Sequence, residues 1–133
     1  MLTPPRALDF SGDVAIVTGA GSRMDGKSAF CSSEYLECWR KVGEIGNGRA
    51  AAILLARHGA KVALLDMNVD WAMDTKRVID EEGGVSQVIQ CNVTDEESCK
   101  NAVAKTIELW GMLHILVNIG TSHLFKTKES CDP

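Results

Sequence analysis

Four short apolar runs alternate with three segments of helical character, and that order leaves few folds open. The runs are residues 13–18 (DVAIVT), 61–66 (KVALLD), 85–90 (VSQVIQ) and 113–118 (LHILVN). Each is short and rich in valine, isoleucine or leucine, as buried strands are. Residues 47–58 (NGRAAAILLARH) form the first helical segment, full of alanine and leucine, with Gly59 at its end. Residues 69–82 form the second, stopped by Gly83-Gly84, and the third runs from Thr94 to Gly111. Strands joined through single helices make a parallel sheet, because a parallel crossover needs a covering element and is almost always right-handed. The expected class is α/β, in the order β-α-β-α-β-α-β.

Finer expectations follow from the helical periods. In the second helix Trp71, Val78 and Ile79 stand at apolar positions, and Trp71 and Trp110 read as core rather than ligand contacts. Thr94 precedes Asp95, Glu96 and Glu97, an N-cap followed by acids that suit the helix dipole. Ala102, Val103, Ile107 and Leu109 are expected to face inward. His58 should close the first helix, where a cation suits the carbonyl end.

Bulk properties narrow the functional classes. The chain has 133 residues, the size of one domain, and a formal net charge of −4 without a block of like charge. Neither a nucleic-acid surface nor a polybasic membrane anchor fits that balance. No apolar run approaches the roughly 18 residues of a span. The first ten residues, MLTPPRALDF, lack the apolar stretch of a signal peptide, so a cytoplasmic location is expected. Five cysteines, Cys31, Cys38, Cys91, Cys99 and Cys131, form no disulfide framework. The Cys31–Cys38 spacing is too wide for a zinc pair, so no metal site is expected.

The turn after the first strand carries the chemistry. It reads TGAGSR, from Thr18 through Gly19, Gly21 and Ser22 to Arg23, and EIGNGRA (Glu44 to Ala50) opens the first helix. Glycine after a strand lets backbone approach a pyrophosphate, and the helix tip offers free N–H groups and a positive dipole end. Asp66 ends the second strand 20 positions after Gly46. An acid there hydrogen-bonds the adenosine ribose hydroxyls and repels a 2′-phosphate, so NAD is preferred over NADP.

These features resemble the short-chain dehydrogenase/reductase family through TGAGS, EIGNGRAAAILLARHGAKVALLD, CNVTDEES and LHILVNIG, across most of residues 12–120. The resemblance implies the N-terminal part of an NAD-dependent oxidoreductase acting on an alcohol/carbonyl pair. The implied fold is an incomplete, Rossmann-like doubly wound sheet of about four parallel strands, with helices on both faces. Thr18, Gly19, Ser22, Ile45 and Gly46 map to the pyrophosphate turn, and Asn92-Val93 to the pair that contacts adenine. Asn118-Ile119-Gly120 stands where the family has a longer Asn-Asn-Ala-Gly, so Asn118 joins the expected cofactor contacts.

Other parts depart from the family. Its catalytic Ser and Tyr-x-x-x-Lys are expected after the fourth strand. The one tyrosine, Tyr35, lies far upstream and has Trp39 four residues later, so no catalytic residue is assigned. Residues 27–43 (KSAFCSSEYLECWRKVG) interrupt a connection that usually needs only about 2–6 residues, and residues 121–133 form an irregular tail. The interruption keeps the reading frame, and joining Gly26 to Glu44 restores a family-like turn. It therefore reads either as translated intron sequence or as a genuine lid bearing Phe30, Tyr35, Leu36 and Trp39. Without a fifth strand, the fourth becomes an apolar edge prone to self-association. Two functions stay open: a catalytically silent NAD-binding part of a dehydrogenase, or a non-catalytic module that pairs through this edge or the inserted loop.

Overall fold

The computed structural model describes residues 8–22 and 45–120. The expected insertion, residues 27–43, and tail, residues 121–133, lie outside the described residues. Four strands and three helices alternate: β1 (Val14–Thr18), α1 (Asn47–Arg57), β2 (Lys61–Asp66), α2 (Val69–Glu81), β3 (Val85–Gln90), α3 (Glu96–Trp110) and β4 (Ile115–Asn118). The sheet is wholly parallel, in the order β3-β2-β1-β4. This is the Rossmann-like arrangement that the alternating runs imply. Strand order reverses beside β1, so connections diverge there and leave a crevice at the strands' carboxyl ends.

β1 is central and buried along its whole length. Because successive strand residues point to opposite faces, β1 and β2 supply two cores. Val17, Val62 and Leu64 pack with Ala52, Ile53 and Ala56 of α1 and Ala72 and Ile79 of α2. On the opposite face Ile16, Ala63 and Leu65 pack with Ile89, Cys91 and Ala102, and Trp110 leans on this cluster. Helices thus cover both faces of the sheet.

The helix ends show how local chemistry sets boundaries. His58 caps α1 at its carboxyl end, and its Nδ1 lies 2.7 Å from the Leu54 carbonyl. Gly59 follows at φ +98°, in the left-handed region that glycine adopts without strain. Arg57 reaches across to Glu82 with two bonds of 2.6 and 2.7 Å, joining the carboxyl ends of α1 and α2. That guanidinium holds the exposed Glu82 carboxyl below the usual carboxylate range.

Four expectations need correction. The cap of α3 is Asp95, whose side chain accepts from the Glu97 N–H; Thr94 is instead drawn into a turn by Asn92. The fourth strand is shorter than residues 113–118, beginning at Ile115. Trp71, in the first turn of α2, is exposed. In α3 the inward stripe is Cys99, Ala102, Thr106 and Trp110, while Val103, Ile107 and Leu109 are exposed. At 3.6 residues per turn, Val103 and Ile107 fall on one flank of that stripe and Leu109 on the other. No described element packs against either flank.

Candidate functional site

The carboxyl ends of all four strands meet along one edge, and the glycine turn fills its centre. Thr18 ends β1, buried, and its Oγ1 accepts hydrogen bonds from the Ile119 and Gly120 N–H groups at 2.9 and 3.0 Å. The segment leaving β4 is thereby fastened to the end of β1. Gly19 follows at φ +66°, and a Cβ there would come within 2.9 Å of the Gly120 nitrogen. Only glycine satisfies both the backbone angle and the close approach.

The turn then tightens against its surroundings. The Ala20 N–H donates to the Leu65 carbonyl (3.1 Å), and the Ser22 N–H to the Gly19 carbonyl (3.0 Å). Thr75, fully buried on α2, donates through Oγ1 to the Ala20 carbonyl at 2.8 Å. Gly21 lies against the first turn of α2, where a Cβ would be 2.6 Å from the Ala72 nitrogen. Arg49 bridges the same two parts, donating through one nitrogen to the Trp71 carbonyl (3.0 Å) and more weakly to that of Gly21 (3.4 Å).

α1 points its N-terminus into this turn. The Gly46 N–H donates to the Ser22 carbonyl at 3.0 Å, and the Gly48 N–H to Ser22 Oγ at 3.2 Å. Gly46 is the N-cap in extended conformation, with no side-chain cap and no acidic residue in the first turn. Among the described residues the helix tip therefore keeps its positive end clear of competing carboxylates, the condition for holding an anion. Ile45 precedes the cap, exposed.

Asp66 closes the other side. It ends β2, half-buried, and each carboxylate oxygen accepts one backbone N–H: Oδ2 from Gly21 and Oδ1 from Asn68, both at 2.9 Å. These bonds fix the plane of the carboxylate and leave further lone pairs facing out. One strand over, the Cys91 N–H donates to the Asp66 carbonyl (3.2 Å). Asn92 follows, its Oδ1 accepting from both the N–H and hydroxyl of Thr94 at 3.0 and 2.7 Å. The amide NH₂ of Asn92 is thus the group it can offer outward, beside the exposed Val93. Asn118 ends β4, exposed, in register with Thr18.

Thr18, Gly19, Gly21, Ser22, Ile45, Gly46 and Asp66 therefore gather around one crevice. Asn92 and Val93 flank it on the β3 side and Asn118 on the β4 side. Counting glycines had missed Gly48. A Cβ on Gly48 would collide with the Gly19 carbonyl, so this is the position where α1 and β1 demand contact without a side chain. Its signal was present in the Gly-Asn-Gly at 46–48, since the last glycine of such a fingerprint serves helix–strand packing. Arg49 and Thr75 were missed as well; nothing in their spacing marks them as struts of the turn.

Comparison with known proteins bears on the same region. The sequence profile of the family described as Enoyl-(Acyl carrier protein) reductase matches residues 43–130. An uncharacterised short-chain type dehydrogenase/reductase of Sinorhizobium fredii is 37% identical over 89 residues, covering 65% of this chain and 35% of that protein. The mouse (Mus musculus) 15-hydroxyprostaglandin dehydrogenase [NAD(+)] is 39% identical over 75 residues, covering 55% of this chain and 28% of its own length. Among solved structures, a hydroxysteroid dehydrogenase from Escherichia coli superposes with a TM-score of 0.64 at 28% identity, covering 84% of this chain and 37% of that one. The chain spans about a third of the length of such relatives.

Proposed function

Given that the chain belongs to the short-chain dehydrogenase/reductase family, we propose that its crevice is an NAD site. Thr18, Gly19, Gly21, Ser22, Ile45 and Gly46 line the pyrophosphate cradle, Asp66 grips the adenosine ribose, and Asn92 and Val93 border the adenine. Asn118 stands on the nicotinamide side. Bound there, NAD supplies hydride transfer, the chemistry of an alcohol/carbonyl oxidoreductase. These residues contribute binding and orientation in a cytoplasmic protein. Proton transfer belongs to groups outside this set, so the chain alone binds NAD without turning a substrate over.

The observation that carries this reading is the Gly21 N–H to Asp66 bond beside the tip of α1, whose N-cap and first turn carry no acid. It holds a carboxylate and an anion-seeking helix end on two sides of one glycine turn. The Asp66 charge also favours a free 2′-hydroxyl over a 2′-phosphate. Isothermal titration of the full chain with NAD and NADP tests the assignment. Saturable binding of NAD, tighter than that of NADP, is the expected result; flat NAD titrations or a preference for NADP would reject it.

A second property rests on β4. Among the described residues it pairs on one side only, with β1, and Leu116 on it is 58% exposed. Unpaired strand edges with apolar side chains recruit further strands. The chain accordingly self-associates through β4, as a non-catalytic module pairing by the same edge also would. Sedimentation should show oligomers that Leu116→Lys reduces, whereas a monomer persisting at high concentration contradicts the idea.

A further inference from the structure

Two cysteines stand directly behind the Asn92–Val93 loop, and the nucleotide site makes no use of them. Cys91 is 2% exposed and packs among Ile16, Ala63, Leu65, Ile89 and Ala102. Cys99, in the first turns of α3, leans on the same cluster but stays partly open to solvent. Its Sγ lies 3.8 Å from the carbonyls of both Asn92 and Val93. Ser98 binds the same loop from the preceding position, its hydroxyl accepting from the Asn92 N–H at 2.9 Å. The loop is therefore wrapped around the two helix residues Ser98 and Cys99.

We propose that Cys91 and Cys99 form a peroxide-sensitive dithiol whose oxidation to a disulfide reshapes the Asn92–Val93 loop and lowers NAD affinity. The effect on affinity rests on the NAD reading above; formation of the bond does not. Cys99 is the entry point because it alone of the pair meets solvent. Its thiolate attacks one peroxide oxygen, the O–O bond breaks, and the second oxygen leaves as water after taking a proton. The resulting Cys99 sulfenic acid is attacked by the Cys91 sulfur; the S–O bond breaks, a second water leaves, and the S–S bond forms. The two thiols lose two electrons and one peroxide gains them.

The roles follow from the surroundings. Burial pushes the Cys91 thiol up, and Cys99 packs against the cluster that holds it. A protonated, buried thiol is a poor first nucleophile, so Cys91 acts second, giving its proton to the departing hydroxyl as its sulfur attacks the neighbouring sulfenic acid. A disulfide also demands sulfurs about 2.05 Å apart, far closer than two thiols that are merely packed together. Closing that distance draws the start of α3 toward the end of β3, and Asn92 and Val93 lie between them.

The test uses the full chain carrying Cys31→Ser, Cys38→Ser and Cys131→Ser, treated with hydrogen peroxide and alkylated. Cleavage after Glu96 and Glu97 separates the two cysteines, so mass spectrometry reads a linked pair directly. The expected product joins the Cys91 and Cys99 peptides, lighter by two hydrogens, and falls apart with dithiothreitol. NAD titration should then show at least a tenfold loss of affinity in the oxidised form, absent in Cys99→Ser. Oxygen added to Cys99 without a link, or no change at either cysteine, overturns the proposal, as does equal NAD affinity in both forms. If the reduced chain binds no NAD, the nucleotide reading fails while the linked peptide still decides whether the dithiol exists.

Discussion

Asp66→Asn is expected to weaken NAD binding by roughly 10- to 100-fold, as isothermal titration would record. A hydrogen bond to a charged group is worth about 1.5–3 kcal/mol, and roughly 1.4 kcal/mol corresponds to each tenfold in affinity. Asparagine keeps the shape of the side chain but loses the charge that two ribose hydroxyls would engage. It also keeps only one acceptor oxygen for two backbone donors, the N–H groups of Gly21 and Asn68. One of these must face an amide NH₂, so stability falls as well, and thermal melts separate that cost from the binding loss. The ratio of NAD to NADP affinity should shrink, because the repulsion of a 2′-phosphate goes with the charge. Unchanged affinity and unchanged ratio would remove Asp66 from the ribose.

Gly48→Ala should be the more damaging change to the fold. Its new methyl group would occupy the space of the Gly19 carbonyl, which belongs to backbone and cannot rotate away. Forcing extra volume into such a contact costs about 1–3 kcal/mol, and more where backbone must shift. Alanine's advantage over glycine in a helix, up to about 1 kcal/mol, offsets only part of that. For a domain of this size a loss near 2 kcal/mol lowers Tm by roughly 10 °C. The displaced helix tip also moves away from the pyrophosphate, so NAD affinity should fall with stability. A Tm at or above that of the parent chain would mean α1 and β1 are not in contact at this point.

Much of the fold was legible because its strands are short apolar runs bounded by glycine and polar residues. β2 and β3 run over residues 61–66 and 85–90, as their composition implied. The gathering of Thr18, the glycines and Asp66 was legible too, since turn, helix tip and strand-end acid recur at a fixed spacing. Less visible was anything decided by competition between neighbours. Thr94 and Asp95 are both good caps, and the Asn92 side chain settles the matter by binding Thr94 first.

Periodicity likewise says that Val103 and Ile107 are apolar, but not whether an element lies beside them. The side of α3 that meets the sheet is set by three-dimensional packing on Ile16 and Ala63. Gly48 was overlooked for a related reason. One glycine in a helix's first turn looks much like another until the carbonyl it touches is known.

The bonds from Gly46 and Gly48 to Ser22 give the molecule a closed neck. Chain departs from the cradle at Ser22 and rejoins it at Gly46, so the two ends of the excursion meet whatever lies between. Entropy taxes the length of such a lariat only lightly, about 0.6 kcal/mol per doubling. Sequence could therefore be gained, lost or exchanged there over evolution while the phosphate grip stayed as it was, which makes this corner a natural port for new parts.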